Sequence, residues 1–83
     1  MDRLDAMSVF VAAAEAGSLS AAGRRLGVPL ATVSRKVADL EAHLGARLLV
    51  RAARGLSLTD AGRAYLPAAR AVLADIGEAE RVA

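Results

Sequence analysis

A strict helical repeat of apolar residues runs through the middle of the chain. Five of them recur at steps of three, four, three and four residues: Leu30, Val33, Val37, Leu40 and Leu44. Because an α-helix turns by about 100° per residue, this spacing puts all five on one face. The pattern predicts an amphipathic helix with one buried stripe, which Gly45 ends.

Glycine and proline divide the preceding residues into two further helical segments. Gly17 can end a first helix, Ser18 or Ser20 can cap a second one, and Gly27-Val28-Pro29 breaks it before the central helix begins. By periodicity, the buried faces are predicted to contain Leu4, Met7, Phe10, Val11 and Ala14 in the first helix, and Leu19, Ala22 and Leu26 in the second.

Beyond Gly45 the periodicity changes. The apolar runs Arg47-Leu48-Leu49-Val50-Arg51 and Leu56-Ser57-Leu58 predict a small β-hairpin. Thr59 can cap a last helix that runs to near Ala83. The fold class is therefore mainly α: a winged helix-turn-helix with a three-helix core and a hairpin wing, followed by a long C-terminal helix. We expect residues 1–58 to form the winged domain and residues 59–83 the long C-terminal helix.

The net charge of +2 is unevenly distributed along the chain. Residues 1–23 have a net charge of −2, residues 24–54 of +5, and residues 55–83 of −1. A positive middle third is typical of a surface that faces phosphates. A solvated charged face would give the same pattern, so charge alone leaves both interpretations open.

The outward face of the central helix has side chains suited to reading DNA. Arg35 lies most nearly opposite the apolar stripe, and arginine can make two hydrogen bonds to guanine. The methyl groups of Ala31 and Thr32 suit contact with a thymine methyl. Ser34 and Lys36 flank this face, where sugar-phosphate oxygens would pass. Alternatively, Arg35 could be a solubilising residue, and Thr32 and Ser34 could bond local backbone.

The composition gives little support to other function classes. The chain has no cysteine, and its single histidine, His43, cannot form a metal site alone. No Gly-rich phosphate loop or evident carboxylate pair indicates an enzyme, and we expect no cofactor in this segment. No stretch is long and apolar enough to span a membrane, and the N-terminus has no signal pattern, so we expect a cytoplasmic protein.

Three groups of motifs resemble the N-terminal part of LysR-type transcriptional regulators. The first comprises Leu4-Asp5-Ala6-Met7-Ser8-Val9-Phe10 and Glu15-Ala16-Gly17-Ser18-Leu19-Ser20-Ala21-Ala22. The second comprises Ala31-Thr32-Val33-Ser34-Arg35-Lys36-Val37, Leu40-Glu41 and Leu44-Gly45. The third comprises Arg47-Leu48-Leu49-Val50-Arg51 and Leu58-Thr59-Asp60-Ala61-Gly62. Together they cover essentially the whole chain with the family's order and spacing.

This resemblance implies a two-fold dimer on dyad-symmetric promoter DNA, with the central helix in the major groove. It implies that the wing arginines Arg51 and Arg54 lie near the minor groove and that Ser20 contacts the DNA backbone. It also implies that the last helix, residues 59–83, is a linker that dimerises through the apolar residues Leu66, Ala69, Leu73 and Ile76. A ligand-sensing domain follows in that family, so a small-molecule effector is expected only outside these residues.

The start of the central helix departs from the family's pattern. Pro29-Leu30-Ala31-Thr32 stand where the family often has Ser-Gln-Pro-Ala. Leu30 thus occupies a base-contact position without the glutamine that could read adenine, and proline replaces the serine cap. Two alternatives remain: a winged-helix regulator of another family, or a helical interaction module that binds protein and no DNA. A steep loss of binding with rising salt would indicate DNA.

Overall fold

Four helices and one two-stranded hairpin follow one another in the computed structural model, which describes residues 1–53 and 55–83. The helices are α1 (Arg3–Ala16), α2 (Leu19–Leu26), α3 (Leu30–Leu44) and α4 (Asp60–Val82); the strands, between α3 and α4, are β1 (Leu49–Ala52) and β2 (Gly55–Leu58). This mainly α architecture with a hairpin wing confirms the predicted fold class.

The predicted helix ends are confirmed by their caps. Gly17, Gly27 and Gly45 each follow a helix in the left-handed conformation, with φ of 78°, 71° and 70°, which costs glycine little because it has no Cβ. Ser18 caps α2 by accepting a hydrogen bond from the Ala21 amide, and Thr59 caps α4 by accepting one from the Gly62 amide.

Helix α1 lies at the centre of the fold and contacts each of the other three helices. Phe10 is fully buried, and its ring meets the Tyr65 ring of α4 with centroids 5.5 Å apart and planes tilted by 55°. Such a pair contributes about 0.5–1.5 kcal/mol beyond the area it buries. Val33 and Leu40 of α3 complete the centre of this core. Helix α4 is therefore joined to the domain through its first half.

The ends of the predicted apolar stripes are more exposed than expected. Leu30 and Leu44, at the two ends of α3, are 46% and 41% exposed, and Leu4 and Leu26 are exposed as well. Periodicity identifies the buried face of a helix but not the length over which a neighbouring element covers it. The prediction that these four leucines are buried is therefore wrong.

The strands of the hairpin are shifted relative to the apolar runs that predicted them, β1 towards the C-terminus and β2 by one residue towards the N-terminus. The antiparallel pairs run from Leu49 with Leu58 to Ala52 with Gly55, so Arg47 and Leu48 precede the first strand. Leu48 is 1% exposed and Leu49 is 5% exposed, so the start of the wing is part of the hydrophobic core.

Candidate nucleic-acid interface

A tight turn fixes α3 relative to α2. The Val28 amide donates a hydrogen bond of 2.9 Å to the Gly23 carbonyl, across the left-handed Gly27. A Cβ at Gly23 would lie 2.8 Å from the Val28 carbonyl oxygen, so the turn packs directly on the glycine. This close approach fixes the position of α3 relative to α2. A helix-turn-helix requires such a fixed position, because its second helix must enter the DNA groove in one orientation.

Pro29 starts α3 without a side-chain cap. Its φ of −62° and ψ of 151° suit a helix start, and its carbonyl accepts hydrogen bonds from the amides of Thr32 and Val33. The expectation that proline begins this helix in place of a capping serine is confirmed. Leu30, next in the chain, points its exposed side chain away from the core.

The outward face of α3 holds the predicted base-reading residues. Ala31 and Arg35 are exposed, whereas Thr32 and Ser34 are half-buried. Among residues 1–53 and 55–83, no carboxylate pairs with the Arg35 guanidinium. All five of its N–H donors are therefore available to an external acceptor.

Lys36 is engaged elsewhere. Its ammonium group forms an ion pair with the Asp5 carboxylate of α1, and the Lys36 side chain is only 28% exposed. The sequence suggested that Lys36 contacts the DNA backbone, but in the structure its charge is compensated within the chain. The pair joins α3 to α1 through residues 31 positions apart, and contact of Lys36 with the DNA backbone remains a prediction.

The described arginines fall into paired and unpaired groups. Arg25 and Arg70 share Glu15, and the other paired arginines are Arg47 with Glu41, Arg63 with Asp60, and Arg81 with Glu78. Those without an ion pair among the described residues are Arg3, Arg24, Arg35 and Arg51. We call Arg24, Arg35 and Arg51 the free arginines; they belong to α2, α3 and β1 and all come from the basic middle third.

Two open grooves separate the helices from the wing. The larger, of about 670 Å³, lies between α3 and the hairpin and is lined by Ser34, Glu41 and Arg51, among others. The smaller, of about 190 Å³, is lined by Ser20, Leu30 and Arg51, among others. Arg51 thus lies on both grooves, and the fold brings it together with three other predicted DNA contacts, Ser20, Leu30 and Ser34. Arg54, the other predicted wing arginine, lies outside the described residues.

Two residues of this surface were missed by sequence reasoning. Arg24 is an exposed free arginine on α2, and its position one turn after Ser20 was the available signal. Glu41 belongs to the Leu40-Glu41 motif of the resemblance, but no role was predicted for it, since a glutamate on a helix is usually solvated. In the structure its carboxylate accepts a 2.7 Å hydrogen bond from the Leu48 amide, ahead of the wing.

The apolar residues of α4 divide into two pairs. Leu66 and Ala69 are 8% and 1% exposed and are buried in the chain's own core. Their predicted place on a dimer face is therefore wrong, because α1 already covers them. Leu73 is half-buried against the edge of that core, and Ile76 is half-buried further along the helix. Dimerisation through these two residues remains a prediction.

Other kinds of site are not evident in the part of the chain that the structure describes. No group of three or more metal-ligating side chains occurs there. Within the same ranges no single helix is long and apolar enough to cross a membrane, and α1 and α2 reach that length only as a pair bent by 119°.

A three-helix core with a tight α2–α3 turn, followed by an antiparallel wing, defines a winged helix-turn-helix domain. A family model described as "Bacterial regulatory helix-turn-helix protein, lysR family" matches residues 4–63, and the chain belongs to this family.

Known proteins resemble the chain over nearly all of its length. An HTH-type transcriptional repressor of Pseudomonas aeruginosa (strain UCBPP-PA14) is 50% identical over 80 residues, which are 96% of this chain and 25% of the relative. The structure of the CbnR_DBD–DNA complex has a TM-score of 0.90 at 41% identity, covering 98% of this chain and 92% of that one. The BenM_DBD/catB site 1 DNA complex has a TM-score of 0.93 at 28% identity, covering 99% and 91%. The chain spans about a quarter of the length of the curated relative.

Proposed function

We propose that this chain binds double-stranded DNA in a sequence-specific manner, as the DNA-binding part of a bacterial LysR-type transcriptional regulator. Helix α3 enters the major groove, and the wing lies at the minor groove. The observation that carries the proposal is the free Arg35 on the outward face of α3. Outside the middle third, Arg63, Arg70 and Arg81 are all ion-paired, and Arg3 is the one described arginine there that is not.

The free arginines explain how such binding would be divided between bases and backbone. Arg35 is placed to read a guanine edge, with Ala31, Thr32 and Leu30 making apolar contacts beside it. Arg51 on the wing, with Ser20 and Ser34 across the grooves, suits phosphate and sugar contacts that fix the register. Two structurally similar chains are named as DNA complexes of DNA-binding domains, which supports this arrangement.

The functional unit we propose is a two-fold dimer on a dyad-symmetric promoter site. Helix α4 extends to Val82, beyond the core that covers its first half. Leu73 lies at the edge of that core, and Ile76 lies further along the helix. A second copy that covers them would repeat the basic surface at a fixed spacing. A sensor domain beyond these residues would carry the effector, and the whole regulator would act on chromosomal DNA in the bacterial cytoplasm.

Selection of bound sequences from a random duplex pool at physiological salt tests this function. We expect a dyad-symmetric consensus, and an affinity that falls linearly with salt on logarithmic axes, because bound cations are released from the phosphates. Enrichment of one half-site without symmetry would support DNA binding but contradict the dimer. No enrichment, with weak binding that does not depend on salt, would contradict the proposal and favour a protein-interaction module.

A further inference from the structure

One carboxylate oxygen joins the last part of α3 to the start of the wing. Oε2 of Glu41 accepts hydrogen bonds from the Leu48 amide at 2.7 Å and the Leu49 amide at 3.3 Å, and lies 3.4 Å from Nε of Arg47. The Glu41 side chain is 13% exposed. Three donors from consecutive residues therefore converge on a single, largely buried acceptor.

This arrangement stabilises one position of the wing. Hydrogen bonds from neutral amides to a carboxylate are shorter and stronger than those to a neutral acceptor. If the carboxylate were removed, two amides next to the buried Leu48 and Leu49 side chains would have to find other acceptors. These hydrogen bonds therefore attach the Leu48–Leu49 segment directly to α3, whereas the strand pairing within the hairpin joins β1 only to β2.

Arg51 lies close to this attachment. It is two residues after Leu49 in the same strand, a rise of about 7 Å. The Leu49 side chain is buried in the core at the start of the wing. Arg51 borders both grooves and has no ion pair among the described residues. A shift of the Leu48–Leu49 segment relative to α3 would therefore move the Arg51 guanidinium relative to Arg35.

We infer that Glu41 is a positioning residue for DNA binding: it sets the wing on α3 so that Arg51 reaches the DNA backbone while Arg35 reaches base edges. This inference rests on the proposed function. Glu41 itself touches no DNA in this arrangement, since its carboxylate is used by the wing and would repel phosphates.

Double-mutant cycles on the selected duplex test the inference. We expect Glu41→Ala to weaken binding on the order of tenfold and to lower the salt slope by about one, as loss of one phosphate contact does. Adding Arg51→Ala to Glu41→Ala should then change Kd by less than about twofold, because that contact is already lost. Arg35→Ala should keep its full effect in the Glu41→Ala background. Additive effects of Glu41→Ala and Arg51→Ala would overturn the inference.

Two control variants separate position from charge and folding. Glu41→Gln keeps an acceptor oxygen for the Leu48 amide, so Arg51→Ala should weaken binding in the Glu41→Gln background nearly as much as it does in the unmodified chain. Asp39→Ala removes an exposed carboxylate from the same helix and should show no coupling to Arg51. If Arg35→Ala no longer changes Kd in the Glu41→Ala background, the Glu41→Ala substitution has disturbed the whole surface and the inference is wrong.

Amide hydrogen exchange provides a readout that does not require DNA. Glu41→Ala should speed exchange at Leu48, Leu49 and the hairpin while leaving the α1 and α3 core amides protected. Unchanged exchange at Leu48 and Leu49 would overturn the inference even if the chain binds no duplex. Absence of duplex binding by the unmodified chain would contradict the proposed function instead, so the two failures can be told apart.

Discussion

A Cβ atom placed on Gly62 would lie 2.1 Å from the carbonyl oxygen of Leu48. That carbonyl accepts a 3.0 Å hydrogen bond from the Thr59 amide, and the Thr59 hydroxyl donates to the carbonyl of Arg47. The first turn of α4 therefore packs against the backbone that leads into the wing, with no room for a side chain. Glycine is required at position 62 for this close approach rather than for its backbone angles.

We expect Gly62→Ala to destabilise the domain by about 1–3 kcal/mol or more, because neither backbone can move without breaking the Thr59 contacts. Gly77 of the same helix is the matched control, since a Cβ there would meet only the far end of Arg81 at 3.8 Å. Gly77→Ala should stabilise by about 0.5–1 kcal/mol, because alanine restricts the unfolded chain and favours helix. Denaturant unfolding at one protein concentration measures both. Equal effects of the two substitutions would show that the Leu48 contact does not matter.

Local rules were enough to predict much of the fold. The helix ends at Gly17, Gly27 and Gly45 depend on a conformation that glycine adopts at low cost, and the outward direction of Arg35 follows from the period of one helix. Interactions between distant segments could not be predicted in this way. The Lys36–Asp5 pair and the hydrogen bonds of Glu41 to the wing depend on how separate elements pack.

The α4 residues show the same limit. Periodicity places Leu66, Ala69, Leu73 and Ile76 on one stripe but does not show which neighbour covers each part of it. In the structure α1 covers the first two. The resemblance to a dimeric family therefore predicted an interface along the whole helix, of which half belongs to the intramolecular core.

Burial raises the pKa of Tyr65 above its usual value of 10.0. The folded chain therefore holds the phenolic proton more tightly than the unfolded chain. This stabilisation is complete below about pH 10 and is lost as pH rises through the folded-state pKa. We expect the free energy of unfolding to fall above pH 10, and to fall less in Tyr65→Phe. Tyr65 is the chain's only tyrosine, and there is no tryptophan, so tyrosinate absorbance reports it directly. A folded-state titration midpoint at or below 10 would refute this prediction.

Arg35→Ala should weaken binding to the selected duplex by about 1–3 kcal/mol and reduce the preference at one base pair in each half-site. The reason is that a guanidinium held against a guanine contributes to discrimination, whereas one held against a phosphate does not. Competition assays with the consensus and a scrambled duplex measure the difference. Equal losses on both duplexes would remove Arg35 from base reading.

Arg24 should act as a further backbone contact. It follows Ser20 by one helical turn, and Ser20 borders the groove that Leu30 lines, so Arg24 lies on the side of α2 nearer the start of α3. Its neighbour Arg25 is directed to α1, where it pairs with Glu15 at 3.1 Å. We expect Arg24→Ala to lower the salt slope by about one on consensus and scrambled DNA alike. Arg25→Ala, the control, should leave the slope unchanged, and a similar slope for both variants would contradict the assignment.

The division of the α4 stripe predicts different outcomes for an aspartate placed in each half. Leu66→Asp would put a charge into the core beside Ala69, and we expect the domain to unfold. Ile76→Asp lies beyond the covered half and should leave a folded chain, with a helical spectrum and cooperative unfolding. If a second copy covers this part of α4, that chain should sediment as a monomer where the unmodified chain sediments as a dimer. Folded Ile76→Asp dimers would place the interface elsewhere, and a folded Leu66→Asp variant would show that α1 does not hold the first half of α4.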